Sequence, residues 1–139
     1  MTLRQVGALP LRKRRGGGLE VLLVTSRETG RWVIPKGWPA KRLSDAKAAA
    51  REARQEAGVS GKMNNRPIGD YRYRKKMQDG ALRVVDVDVY ALWVKKQRRS
   101  WQEKDERVRV WFAQSDAARK VREPKLKALI AAFVVQRDS

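Results

Sequence analysis

The sequence predicts an α/β fold in which a mixed β-sheet lies between helical layers. Apolar segments rich in branched residues occur before and after one alanine-rich helical segment, and further helical segments close the chain. Strands on both sides of a helix, with more helices at the end, are typical of a sheet covered by helices. The chain has 139 residues, enough for one sizeable core, so we expect a single domain over residues 1–139.

Three strands are predicted before the central helix. Arg4–Leu11 forms the first, and the basic, glycine-rich stretch Arg12–Gly18 is a predicted hairpin loop. Leu19–Thr25 is mostly apolar, which is the pattern of a strand buried on both faces. A short strand at Trp32–Pro35 then leads into turn residues at Lys36–Pro39.

The central helix has well-marked ends. Ser44 or Asp45 is a predicted N-cap, Ala46–Ala57 consists almost entirely of good helix formers, and Gly58 is a predicted C-terminal stop. We expect the helix to lie close against the sheet, because one narrow face carries only small side chains, those of Ala49, Ala53 and Ala57.

Further strands are predicted after this helix. Ser60–Gly61 is a predicted turn, and Ile68–Met77 is a predicted strand that continues through a hairpin turn at Gln78–Gly80. In the next strand, Ala81–Lys95, valines alternate with other side chains, and such regular alternation indicates a strand in the middle of the sheet.

The chain closes with a loop, a strand and two helices. The polar loop Lys96–Arg107 precedes a strand at Val108–Ala113, and Ser115 is predicted to cap a short helix that runs to Val121. The last helix begins at Pro124, and its apolar stripe consists of Leu126, Leu129, Ile130 and Phe133.

Acidic side chains on the central helix suggest a metal site. Glu52 and Glu56 are four residues apart and therefore stack on one face, with Gln55 beside them. Stacked carboxylates repel each other, and a hard divalent cation such as Mg²⁺ would remove that repulsion. The alternative from spacing alone is a solvated acidic pair among Arg51 and Arg54, which would contribute little to stability.

The charge and the residue types of the chain limit its chemistry. There are 33 Lys and Arg against 15 Asp and Glu, and a net charge of +18 favours phosphate-rich partners. Cys and His are absent, which excludes disulfides, thiolate or imidazole metal ligands and Ser-His triads. No apolar stretch approaches the roughly 20 residues of a membrane span, and no signal-peptide pattern is present, so we expect a cytoplasmic protein.

The segment around the central helix resembles the Nudix box, the signature of the Nudix hydrolases. Leu43 and Gln55 stand where the box has glutamates, and the remaining positions match without a gap at Gly37, Arg51, Glu52, Ala53, Glu56, Gly58 and Val59. The resemblance covers nearly the whole chain and is strongest to bacterial relatives of the diphosphoinositol polyphosphate phosphohydrolases. It implies an α/β/α sandwich with a mixed sheet.

The resemblance also implies a site. Its metal would be Mg²⁺, with Mn²⁺ as an alternative, and the ligands would come from Gly37, Glu52, Gln55 and Glu56. Arg51 would orient a carboxylate of the box. A further acidic residue outside the box would act as base or ligand, and Glu103 is our candidate, with Asp105 and Glu106 as rivals.

The expected substrate is a small phosphate-rich molecule with a diphosphate linkage. Candidate phosphate-binding residues are Arg31, Lys36, Arg72, Arg74 and Lys76, and candidates for stacking on a base are Trp32, Trp38 and Trp101. Two other readings stay open at this point. The chain could process RNA ends or bind nucleic acid, as its charge suggests, or it could bind a phosphorylated ligand without hydrolysis, because Gln55 contributes no charge to the metal.

Overall fold

A computed structural model describes residues 2–135 of the chain. Met1 and residues 136–139, which belong to the predicted single domain, lie outside the described residues. Within residues 2–135 there are eight strands and three helices. The strands are β1 (Leu3–Lys13), β2 (Leu19–Thr25), β3 (Trp32–Val33), β4 (Lys36–Gly37), β5 (Val59–Met63), β6 (Gly69–Lys76), β7 (Leu82–Gln97) and β8 (Arg109–Ala113). The helices are α1 (Asp45–Ala57), α2 (Gln114–Lys120) and α3 (Pro124–Ala132).

The strands form one mixed sheet with β1 and β7 at its centre. These two strands are parallel, and their register pairs Leu3 with Val85 at one end and Leu11 with Trp93 at the other. The remaining pairings are antiparallel: β1 with β2 and β4, β2 with β3 and β8, and β7 with β5 and β6. β7 therefore lies mid-sheet, as its alternating sequence predicts.

Helices cover both faces of this sheet. On one face the alanines of α1 pack against the core formed by Val6, Ala8, Leu22, Val24 and Leu92. On the other face α2 and α3 pack against the core formed by Leu9, Leu11, Val21, Leu23, Val85 and Val87. β2 contributes to both cores, which confirms that it is a strand buried on both faces. The α/β/α sandwich predicted from the sequence is confirmed.

The closing helices are joined by side-chain contacts. Pro124 occupies the start of α3, where a missing N–H is harmless, and α3 buries Leu126 and Ile130. The Gln114 amide donates hydrogen bonds to the backbone carbonyls of Ile130, at 2.9 Å, and Phe133, at 2.7 Å. These bonds satisfy carbonyls that the end of a helix leaves unpaired. Among residues 2–135, no helix is long and apolar enough to cross a membrane.

Three local predictions are wrong. Ser60–Gly61 is not a turn but part of β5, where pairing with β7 through a register shift overrides the local turn preference. Lys36–Gly37 forms β4, because its backbone pairs with that of β1. Ser115 does not cap α2, since the helix begins at Gln114 and its N-cap, Ala113, makes no side-chain hydrogen bond.

Candidate active site

Helix α1 is fixed at both ends, and this fixes where its carboxylates point. The Ser44 hydroxyl accepts a hydrogen bond from the Lys47 N–H at 3.3 Å, which confirms Ser44 as the N-cap. Gly58 ends the helix with φ 68°, a left-handed conformation that disfavours other residues. The narrow face of small side chains lies against the sheet, as predicted, and Ala49, Ala53 and Ala57 on it are 0% exposed. The adjacent face carries Glu52 and Glu56.

Glu52 lies directly against the backbone of Gly37 in β4. A Cβ atom placed on Gly37 would lie 2.2 Å from Oε1 of Glu52, far closer than atoms approach without a bond. The φ of Gly37 is not positive, so its backbone would accept another residue, but a side chain at position 37 would displace the Glu52 carboxylate. This contact places Gly37 of β4 beside a carboxylate of α1.

Glu56 is buried, with 5% of its surface exposed. Its Oε1 accepts a hydrogen bond from the Lys36 N–H at 3.3 Å and lies 3.7 Å from Nη2 of Arg107. Burial raises the pKa of Glu56 to about 8, because desolvation outweighs the favourable charges of Arg107 and Lys36. Without a metal, this carboxyl is therefore mostly protonated at neutral pH.

The two box carboxyls interact with each other. Burial also raises the pKa of Glu52, while a hydrogen bond with the Glu56 carboxyl opposes that shift. A proton shared between the two carboxyls would remove the repulsion expected between stacked carboxylates. A divalent cation would do the same by displacing the proton, since metal ligands must be deprotonated.

The loop after β7 brings two more charged residues to this place. Nε of Arg107 lies 2.8 Å from Oε1 of Glu103, and Nη2 contacts Glu56, so one guanidinium contacts both carboxylates. Arg107 is itself buried to about nine tenths, and Nη1 donates to the Thr25 carbonyl at 3.1 Å. Glu103 raises the pKa of both Glu52 and Glu56, which reflects its nearness to them.

The same loop is fastened to the C-terminal end of α1. The Glu103 N–H donates to the Gln55 carbonyl at 3.0 Å, and Nε1 of Trp101 donates to the Glu56 carbonyl at 3.1 Å. The guanidinium of Arg109 lies 3.8 Å from the Trp101 ring and donates to the Ala57 carbonyl. Trp101 therefore holds the helix end, and its ring is engaged by Arg109.

A second polar cluster lies on the other face of the sheet, behind β4. The Lys36 ammonium lies 4.9 Å from the Tyr73 ring centre, and burial lowers the pKa of Lys36 to about 8. The Tyr73 hydroxyl donates to the Gln5 amide oxygen at 2.7 Å. Arg31 pairs at 3.0 Å with Glu123, whose other carboxylate oxygen is buried without a hydrogen-bond partner.

The other predicted substrate residues are spread more widely. Arg72 and Arg74 are exposed on β6, which is separated from Gly37 by β1 and β7. At about 4.8 Å per strand, that order places β6 roughly 14 Å from β4. Lys76 lines an open cavity of about 820 Å³ together with Trp38, which is 43% exposed. Of this predicted set, Lys36 contacts the box directly, through its backbone N–H and Glu56, and Arg31 lies near the Lys36 ammonium.

The remaining box residues flank the carboxylates. Arg51 carries a buried Nε without a hydrogen-bond partner, and its charge lowers the pKa of Glu52. The Gln55 side chain is partly exposed. Trp32 packs edge to face on Phe112 at 5.0 Å between ring centres, so this tryptophan belongs to the core.

The oxygen donors suit a hard divalent cation. Glu52 and Glu56 supply carboxyl oxygens. Because the pKa of Glu56 is raised, this residue would lose its proton and become negatively charged when a cation binds. Within residues 2–135, no group of three or more acidic side chains lies close enough to form a complete ion site. Mg²⁺ is commonly held by one or two carboxylates plus substrate phosphates, and the pair present fits that mode.

Sequence reasoning missed three residues of this region, Arg107, Tyr73 and Glu123. The only signal for Arg107 is its position four residues after Glu103, and charged pairs at that spacing are common. Glu123 is 92 residues from Arg31 in sequence, so no local pattern connects them. Tyr73 lies between Arg72 and Arg74, and the charge of these neighbours suggested phosphate binding while nothing in the sequence pointed to the tyrosine.

Comparisons with known proteins identify relatives of this chain. The chain is 32% identical over 132 residues to Nudix hydrolase 21, chloroplastic, of Arabidopsis thaliana, which covers 93% of this chain and 65% of that protein. It is 37% identical over 101 residues to diphosphoinositol polyphosphate phosphohydrolase 3-alpha of Homo sapiens, which covers 70% and 57%. The chain thus spans about two thirds or less of the length of these relatives.

A solved structure and a family model complete the comparison. The C. elegans Ap4A hydrolase has the same fold, with a TM-score of 0.63 at 20% identity over 94% of both chains. The NUDIX domain model matches residues 1–133. Since that match takes in nearly the entire sequence, together with the glycine, the helix and the carboxylate pair described above, the chain belongs to the Nudix family.

Proposed function

We propose that the protein is a Mg²⁺-dependent pyrophosphohydrolase that cleaves a diphosphate linkage. The observation that carries this proposal is the interacting pair of carboxyls on the box helix, formed by the partly buried Glu52 and the buried Glu56, with Glu52 held against Gly37. Family membership supports the reaction class, because relatives are named as Nudix hydrolases. Mn²⁺ is the alternative metal.

Glu52 and Glu56 would hold the ion, with the Gly37 carbonyl and the Gln55 amide oxygen as further ligands. A bound Mg²⁺ supplies positive charge to the diphosphate oxygens and lowers the pKa of a bound water. The charge of Arg51 lowers the pKa of Glu52 and so favours its ionised form, against the effect of burial, and Arg51 would orient that carboxylate. Gln55 contributes an oxygen without charge, so it holds the ion more weakly than a glutamate would.

The reaction is attack of water on one phosphorus of the diphosphate. The water oxygen forms a bond to phosphorus, the bond from that phosphorus to the bridging oxygen breaks, and two phosphorylated products leave. Glu103 is the candidate to accept the proton of the water, because it lies next to the box carboxyls. Its hydrogen bond to Arg107 keeps it oriented toward them.

Basic residues near the box would hold the phosphates. The backbone of Lys36 lies beside Glu56, and the side-chain pKa of about 8 leaves its ammonium mostly charged at neutral pH. That ammonium and Arg31, which pairs with Glu123, belong to the second polar cluster, so their contact with phosphates stays a prediction. Arg72, Arg74 and Lys76 stay predictions for outer phosphates of a large polyanion. Phosphoryl transfer depends mainly on such positioning and on positive charge.

Three substrate classes remain candidates: nucleoside diphosphate derivatives, dinucleoside polyphosphates and diphosphoinositol polyphosphates. The similarity to a human diphosphoinositol polyphosphate phosphohydrolase and the excess of cations support the last class. Because a more highly charged substrate gains more from a net charge of +18, we expect it to react best at low salt. The cytoplasmic location expected from the sequence stays a prediction.

A parallel assay tests the proposal. The purified chain is incubated with ADP-ribose, diadenosine tetraphosphate and a diphosphoinositol polyphosphate, in Mg²⁺, in Mn²⁺ and in excess chelator, and products are quantified by ion-exchange chromatography. We expect metal-dependent cleavage of at least one substrate and loss of about 10² or more in rate in Glu56→Gln. Tight substrate binding without any cleavage would support the non-hydrolytic reading suggested by Gln55 and overturn the proposal.

A further inference from the structure

A second cleft lies on the α3 side of the sheet, away from the box carboxylates. It encloses about 1370 Å³ between the ends of β1, β5 and β7 and the C-terminal end of α3. Sites for single small molecules commonly enclose about 300 to 1,000 Å³, so this cleft has room for a longer ligand. Trp93 in the cleft pairs with Leu11, whereas Gly37 pairs with Val6, five positions away along β1. That separation is roughly 16 Å along the strand.

The cleft is basic on all sides. Lys13, Lys62 and Lys95 reach it from three adjacent strands, and Arg66 reaches it from the loop before β6. These four side chains are exposed, and within residues 2–135 none of them pairs with a carboxylate. Nor does any Asp or Glu of the described part of the chain line the cleft. Converging like charges of this kind favour a polyanion.

Aromatic and apolar side chains lie between these cations. Trp93 and Phe133 are partly buried in the cleft, with ring centres 6.1 Å apart and planes tilted by 56°. The exposed Val134 continues the same surface. The C-terminal end of α3 borders the cleft, and its carbonyl oxygens carry partial negative charge. Gln114 donates hydrogen bonds to two of these carbonyls and so partly offsets that charge.

We propose that this cleft binds single-stranded nucleic acid, with the phosphates against the four cations and a base against Trp93 or Phe133. Basic grooves that carry aromatic side chains are the usual device for holding unpaired strands, because every base offers a face for stacking. A bare inorganic polyanion would use the cations but not the rings. The site is distinct from the proposed hydrolase centre and does not depend on its activity.

Binding is measured by fluorescence anisotropy of a labelled, mixed-sequence single-stranded RNA of about 12 nucleotides, in excess chelator so that metal-dependent hydrolysis is silent. Four phosphate contacts predict that log affinity falls with log salt with a slope of about −3. In the double variant Lys62→Glu with Lys95→Glu, two contacts are lost. At about 0.1 M salt this corresponds to roughly 25-fold weaker binding, with a slope near −1.5.

The matched control is Lys47→Glu with Arg83→Glu, which makes the same change in net charge at exposed positions outside the cleft. We expect its affinity to stay within about twofold of the wild type, because phosphate contacts act locally. Equal weakening in both double variants would mean that the overall charge binds RNA and would overturn the proposal. The same would follow if the wild type did not bind the oligonucleotide at low salt.

A third variant tests stacking. Trp93→Leu removes the larger ring, and we expect about tenfold weaker RNA binding with unchanged binding of inorganic polyphosphate. Thermal unfolding checks that this partly buried position still folds, and Phe133→Leu provides a second reading of the same surface. If neither substitution affects RNA binding and polyphosphate binds as tightly as RNA, the cleft is an ionic site only and the nucleic-acid assignment is wrong.

Discussion

Replacing Glu56 with glutamine should make the metal-free protein more stable while removing its proposed function. Glu56 is 5% exposed, and its pKa is raised from an ordinary 4.5 to about 8. Glutamine has the shape of a protonated glutamate, so it can keep the bond from the Lys36 N–H and donate to Glu52. The glutamine side chain is neutral at every pH, so the variant takes up no proton at this position when it folds.

The sign of the pH dependence follows from the direction of the shift. A carboxyl whose pKa is raised by folding contributes its full stability below the unfolded pKa, 4.5, and loses it as the pH rises toward 8. The loss is about 1.4 kcal/mol per pH unit over that interval, which amounts to roughly 3 kcal/mol at neutral pH. Glu56→Gln should therefore be about 3 kcal/mol more stable than the wild type near pH 7, and this difference should shrink to about 1 kcal/mol near pH 5.

Urea unfolding in excess chelator, repeated between about pH 5 and pH 8, measures this difference. Glu28→Gln is the control, because Glu28 is exposed in a turn and should leave the wild-type pH profile unchanged. Parallel profiles for the wild type and Glu56→Gln would refute the reasoning, since they would show that Glu56 is ionised in the folded protein. In Mg²⁺ the same variant should lose about 10² or more of the hydrolysis rate.

Three further substitutions test the surroundings of this carboxyl pair. Gln55→Glu should tighten Mg²⁺ binding severalfold by isothermal titration calorimetry, because it adds a charge, and an unchanged affinity would mean that position 55 does not face the ion. Gly37→Ala should lower the hydrolysis rate by about tenfold or more with a smaller effect on stability, since its Cβ would displace Glu52; an unchanged rate would remove that contact from the site. Gly58→Ala should lower the free energy of unfolding, measured in urea, by about 1 to 3 kcal/mol, because φ is 68° there and Trp101 crowds the position. An unchanged free energy of unfolding would show that this helix end can rearrange.

Much of the fold was predictable from local patterns. The ends of α1 are marked by Ser44 and Gly58, and both residues make the predicted caps. The alternation in β7 indicated a mid-sheet strand because one set of side chains enters a core. By contrast, β5 and β4 exist because their backbones pair with distant strands. Their sequences, with Ser60–Gly61 and Lys36–Gly37, favour turns when read alone.

The site was predictable only in part. Glu52, Glu56 and Gly37 follow from the box. Glu103 was one choice among three loop acids, and it is the one that the structure brings near the pair. Arg107 could not be identified, because it is one of 33 basic residues and only the folded loop brings it between two carboxylates. The phosphate-binding residues were chosen by charge, which does not determine the face of the sheet on which a side chain lies.

The same limit applies to the second cleft. Lys13, Lys62 and Lys95 are far apart in sequence, and each is unremarkable in a chain of net charge +18. Their convergence depends on the parallel pairing of β1 with β7 and on the β5 register that places Lys62 beside Trp93. Neither pairing can be inferred from periodicity, because a strand's pattern states which face is buried and not which strand is its neighbour.

Manganese located by its anomalous scattering in crystals of the wild-type chain tests the central claim most directly, because Mn²⁺ takes the same oxygen ligands as Mg²⁺ and can be identified unambiguously. We predict one strong peak within coordination distance of carboxylate oxygens of both Glu52 and Glu56. Crystals saturated with the ion in which Glu56 still bonds to Glu52 and Arg107, with no peak beside them, would contradict the account.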